Sequence, residues 1–79
     1  MNHALEQYLD HSLASLTHET RTQATHRKSI ALMACYLDSD LTQKDRNWVQ
    51  AAADLIPITT PPAEFITVLR YLIQEAVDE

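Results

Sequence analysis

Histidines stand at positions 3, 11, 18 and 26, separated by eight, seven and eight residues. Two histidines of one helix share a metal ion when they are three or four residues apart, because both imidazoles then reach one point. A spacing of seven sets the side chains about 10 Å apart along a helix. The set therefore predicts solvated histidines on polar faces, and no metal or other cofactor is expected. Asp38, Asp40 and Asp45 gather around one short stretch. A calcium loop of the EF-hand kind needs a glycine at its sixth position and a glutamate at its twelfth. Counted from Asp38, those positions hold Gln43 and Val49. The carboxylates are expected instead to cap a helix and stay solvated, with an acidic patch that meets a basic partner surface as the alternative. Cys35 lies inside an apolar run with no histidine near it in sequence, which predicts a buried packing thiol and not a nucleophile. No serine sits in a nucleophile motif. The chain has no glycine, which excludes a phosphate-cradling loop. No catalytic arrangement is expected.

Two other groups of residues concern recognition. Gln43, Lys44, Arg46, Asn47 and Gln50 are types that read base edges, and a short turn before them admits a helix-turn-helix with 42–56 as its DNA-binding helix. Asp45, the lack of glycine in the turn and a formal charge of −5 oppose that reading. Trp48 stands beside Arg46, and both types are enriched at interface hot spots. The tryptophan is expected in the core, with a partner contact as the alternative.

The run Asp38-Ser39-Asp40-Leu41 resembles the acyl carrier proteins in four residues, in acidity and in chain length. That family carries its prosthetic arm on a serine preceded by aspartate and followed directly by leucine. Here Asp40 intervenes, Lys44 and Arg46 follow, and the glycine before the motif is missing. These departures argue against a carrier role, and no family is assigned.

The elements that hold these residues are legible from periodicity and punctuation. Seventy-nine residues allow a single domain over 1–79. Apolar residues make up 46% and charged ones 22%, which excludes a disordered chain. One cysteine excludes a disulfide scaffold. The first residues lack the basic start and apolar stretch of a secretory signal, so a cytoplasmic protein is expected. No apolar run approaches the length of a membrane span. Without glycine, and with Asn2 and Asn47 outside turn-like settings, hairpins have no obvious turn chemistry.

The expected fold is all-α, a small bundle of three to four helices. Leu5, Leu9, Leu13 and Leu16 form one stripe of a first helix over about Asn2 to Leu16. Residues 17–20 are taken as the connection, with Thr20 and Gln23 as a capping box for a second helix over 21–37. A single helix over 2–37 is the competing reading. The eight apolar residues from Ile30 to Leu37 predict a helix buried on all sides at that end, with Arg21, His26, Arg27 and Lys28 in water at the other. Thr42 and Asp45 predict the N-terminus of a third helix over 43–56. Its apolar face is expected to hold Trp48, Val49, Ala52, Leu55 and Ile56, ending before Pro57. Thr60 as N-cap and Pro61 at the first helical position predict a fourth helix over 61–77.

On that last helix the apolar arc from Tyr71 round to Val77 covers about 240°, where one core contact needs little more than 100°. Two readings are open: the helix is the hub of the bundle and touches all three others, or association with a copy or a partner runs through helix two or helix four. The leading function is a non-enzymatic protein-binding module: a small inhibitor, immunity-type protein or adaptor of the sort phages and mobile elements encode. The expected partner is another protein with a basic surface, or a second copy in a homo-oligomer. Membrane and nucleic acid are not expected. The residues assigned to the partner contact are Asp38, Asp40, Asp45, Arg46, Trp48, Ile66, Tyr71 and Ile73.

Overall fold

A computed structural model describes residues 3–18 and 23–78. Its four helices are α1 (His3–His18), α2 (Gln23–Leu37), α3 (Gln43–Asp54) and α4 (Pro62–Asp78), with no strand among the described residues. Each packs on the next in the chain, and α1 closes the ring against α4. The connections after α2 and α3 are short, which favours antiparallel neighbours. The proposed capping box at Thr20, and the exposure of Arg21, lie outside the described residues.

Helices α1 and α2 are separate and pack on each other. The Gln23 side-chain amide donates to the Leu16 carbonyl at 3.2 Å, and Ser15 Oγ lies 3.4 Å from His26 Nε2. In one continuous helix Ser15 and His26 would stand roughly 16 Å apart.

The core is built from one inward face of each helix. It includes Leu5, Leu9 and Leu16 from α1, Ile30, Ala34 and Cys35 from α2, Val49 from α3, and Phe65, Leu69 and Ile73 from α4. Leu41, from the loop between α2 and α3, joins them. On the outer side of the seam between α1 and α4, Arg70 Nε lies 3.0 Å from Glu6 Oε1, and its Nη2 is 3.9 Å from Asp10. These groups are half exposed, so the pair contributes at most about 1 kcal/mol.

Helix ends follow local chemistry. Thr42 Oγ1 accepts from the Asp45 amide at 3.1 Å, while Asp45 Oδ2 accepts from the Thr42 amide at 3.2 Å. This reciprocal capping box starts α3 where the residue types indicated. The far end differs from expectation. Helix α3 stops at Asp54, and the amides of Leu55 and Ile56 bond back three residues, to Ala52 and Ala53. Pro57 disfavours helical backbone at the residue before it, which accounts for the early stop. At α4 the Phe65 amide bonds the Pro61 carbonyl at 2.9 Å. Pro62, not Pro61, therefore takes the first helical position, where a missing amide hydrogen is harmless. Thr60 is set free of the N-cap role, and its carbonyl accepts from Arg27.

Three burial expectations are corrected. Helix α2 is not enclosed at its apolar end, because a ring of four helices leaves every helix an outer side. Arg27 is not in water but in the interior. Leu55, placed on the apolar face of α3, is 83% exposed, because the helix ends before it.

Thr42→Ala should lower the unfolding free energy by about 1 kcal/mol through loss of the cap. Leu55→Ala should change it by less than about 0.5 kcal/mol. Urea titration followed by far-UV circular dichroism measures both.

Candidate functional site

The apolar segment of α2 is sorted by size. At about 100° per residue, Ile30, Ala31, Ala34 and Cys35 fall on one side and are buried. Leu32, Met33 and Tyr36 fall within an arc of about 100° on the other. They are 46%, 50% and 52% exposed. Three of the four inward side chains are thus small, with Ile30 the exception, and three large ones face out. Small inward residues favour a close approach of α2 to its neighbours. Sequence reasoning left helix two open as a route of association but did not find which residues form the face, because it read eight consecutive apolar residues as one buried block. The alternation of small and large residues at helical spacing was the available signal.

Helix α3 braces one end of the face. Arg46 Nε donates to the Cys35 carbonyl at 3.2 Å, satisfying an acceptor that the end of α2 leaves without an intrahelical amide. The Arg46 guanidinium carbon lies 4.7 Å from the centroid of the Tyr36 ring. This cation–π contact fixes the ring at the surface. Beside Leu32, a cleft of about 280 Å³ reaches across to Gln50 and Asp54, with Lys28 at its edge.

The residues assigned to a partner from sequence do not form one site. Ile66 and Ile73 belong to the core, which removes them from any contact surface and corrects their assignment. The outward surface of α4 reduces mainly to Tyr71 and Val77. Glu75 raises the Tyr71 phenol pKa, first by its charge and then by accepting its hydrogen bond. Asp38 is also buried: its Oδ1 accepts from the Asp40 amide at 3.0 Å, so it holds the loop and does not face outward. Asp40 is exposed, and Asp45 is committed to its capping box. Trp48 is 50% exposed and not a core residue. By helical angle it lies about 160° from Arg46, on the opposite flank of α3.

The base-reading set is partly engaged within the chain. Gln43 Nε2 donates to Asn47 Oδ1 at 3.0 Å, and Arg46 is held by Cys35 and Tyr36. The histidines do not converge. His3, His11 and His18 are exposed, and His26 sits half-buried between α1 and α2. Among the described residues no group of three histidine, cysteine or acidic side chains could hold a metal ion. Among the described residues no helix is long and apolar enough to cross a membrane.

Cys35 is buried beneath the face as a free thiol. Burial pushes its pKa up from the ordinary 9.0 to about 11, with the Arg46 cation opposing the shift. That is the reverse of what a nucleophile needs.

The comparisons with known proteins do not bear on this face: no protein-family model, curated protein or solved structure matches the chain.

In the unfolded chain the thiol ionises from about pH 9, whereas in the folded protein it keeps its proton to about pH 11. Between those values the unfolded state binds fewer protons, so stability falls as pH rises. The loss attributable to this group should be on the order of 2 kcal/mol. Cys35→Ala should flatten the stability profile between pH 9 and 11 relative to the parent chain in parallel urea titrations. Equal slopes would show that the thiol is not the cause.

Proposed function

We propose that this protein is a non-enzymatic protein-binding module, a small inhibitor, immunity-type protein or adaptor, whose contact surface is the outer face of α2. The observation that carries the reading is the size inversion on α2, with Leu32, Met33 and Tyr36 outward and Ala31, Ala34 and Cys35 inward. Large apolar side chains grouped on one exposed helix face favour a macromolecular contact over solvent. Pinned aromatics are also the side chains that dominate interface energies.

The partner that fits is another protein with an apolar groove or helix face flanked by positive charge. The net charge of −5 would steer such a surface toward the module, and exposed Asp40 stands just beyond the Tyr36 end of the face. The contact needs no residue to change its bonds within the chain, because Arg46 already holds Tyr36 in place. A phage or mobile-element origin agrees with the small size and acidity and adds nothing to the mechanism. The rival reading, α3 as a DNA-reading helix, draws less support because Arg46 and Gln43 are engaged within the chain.

The test is capture of a partner from a native-host lysate with the parent chain and four variants of matched stability. Leu32→Glu and Tyr36→Glu should lower recovery of the partner at least tenfold. Trp48→Ala and Tyr71→Arg, away from the α2 face, should leave it unchanged. Undiminished recovery with Leu32→Glu and Tyr36→Glu would exclude α2 as the contact. Sedimentation across a concentration series identifies a second copy of the chain as the partner if the mass doubles and the same two variants abolish the doubling.

A further inference from the structure

Arg27 presents a buried charge that the docking face does not use. It is 7% exposed, on the inner side of α2. One edge of its guanidinium is engaged: Nη2 donates to the Thr60 carbonyl at 2.6 Å, and Nε to Gln23 Oε1 at 3.4 Å. The guanidinium carbon lies 4.9 Å from the centroid of the Phe65 ring. The third nitrogen, Nη1, is buried with no hydrogen-bond partner. Among the described residues both ion pairs belong to Arg70, so no carboxylate pairs with Arg27. Burial lowers its pKa from the usual arginine value, yet a guanidinium keeps its proton in proteins. A charge in this setting is unfavourable until a counter-charge completes its hydrogen bonds.

A cavity of about 270 Å³ borders the same residue. Gln23 and Thr60, which hold the engaged edge, do not line it. Its walls include Lys28, a second cation, and the apolar side chains of Ile56, Pro57, Ile58 and Phe65. Asp54 supplies the one carboxylate of the lining. A lining that combines two cations with hydrocarbon suits an anion with an apolar tail. Asp54 disfavours a doubly charged anion such as phosphate, which leaves a monoanion. A planar carboxylate matches guanidinium geometry.

We propose that this cavity binds a small monocarboxylate with a short apolar tail, its carboxylate taking the free side of the Arg27 guanidinium and the Lys28 ammonium, its tail resting on Pro57 and Ile58. Nη1 is covered as the wall stands, so seating the carboxylate includes a small adjustment of that wall. The cavity shares Lys28 and Asp54 with the cleft beside Leu32 but includes none of Leu32, Met33 and Tyr36, so either proposal can fail alone.

The test is a titration of the isotope-labelled chain with sodium butyrate, followed by amide and arginine Nε resonances at constant ionic strength. Butyrate should produce saturable shifts at the amides of Ala24, Lys28, Asp54, Leu55, Ile56 and Ile58 and at the Arg27 side chain. Butyramide, the neutral analogue, should produce none, and inorganic phosphate should bind at least tenfold more weakly. Lys28→Gln should weaken butyrate binding several-fold, and Arg27→Met should abolish it. Should Arg27→Met fail to fold, Ala24→Leu narrows the cavity without touching the bonds to Gln23 and Thr60, and it should also abolish binding. Absence of saturable shifts, equal shifts from butyramide, phosphate binding as tightly as butyrate, or butyrate binding that survives both Arg27→Met and Ala24→Leu would each overturn the proposal.

Discussion

The close packing of α2 through small side chains is the constraint on which the remaining features rest. Ala31, Ala34 and Cys35 favour a near approach of its backbone to its neighbours, Ile30 fills the inner side beside them, and Leu32, Met33 and Tyr36 are left outward. Two consequences follow from that approach. The C-terminal carbonyls of α2 come within reach of Arg46 on α3, and the buried Arg27 reaches the loop before α4 through the Thr60 carbonyl. A single helix thus organises both cation contacts, the pinned Tyr36 ring and the outward apolar face. Larger residues on its inner side would force the ring of helices apart and break all of these together.

The two arginines show how one side chain acquires different roles from its surroundings. Arg46 lies at the surface, where its stem covers apolar area and its head bonds a carbonyl and a ring. Arg27 has the same two kinds of contact, a carbonyl and an aromatic ring, and adds a side-chain oxygen, but lies in the interior with one nitrogen unsatisfied. Buried guanidinium groups are ordinarily balanced by a carboxylate. The imbalance separates a structural contact from one with unused binding capacity.

Much of the fold was legible in the sequence, for identifiable reasons. Thr42 and Asp45 carry a local signal that depends on four residues alone, and the capping box forms there. The leucine stripe of α1 has one period and one interpretation. Proline placed the start of α4 to within one residue. What failed depended on information that no local pattern contains. Ile30 to Leu37 is apolar at every position, so its sequence cannot say which side the other helices occupy. The 240° arc on α4 was taken as surplus, yet α1 and α3 flank that helix and cover Ile66 and Ile73 between them. Arg27 was assigned to water by its charge, although a distant backbone carbonyl, 33 residues on, was available to receive it. Asp38 was assigned to the surface for the same reason, before the turn that closes over it was known.

The sorting of α2 by size separates two kinds of selection on one helix. Ala31, Ala34 and Cys35 answer to the interior, where one added methylene is felt throughout the packing. Leu32 and Met33 answer to whatever meets them from outside, and exchanges between them disturb little within the chain, whereas Tyr36 also answers to Arg46. Such a scaffold can be retargeted by changing a few neighbouring codons while its interior stays untouched, so its lineage can diverge quickly in what it recognises and slowly in how it folds.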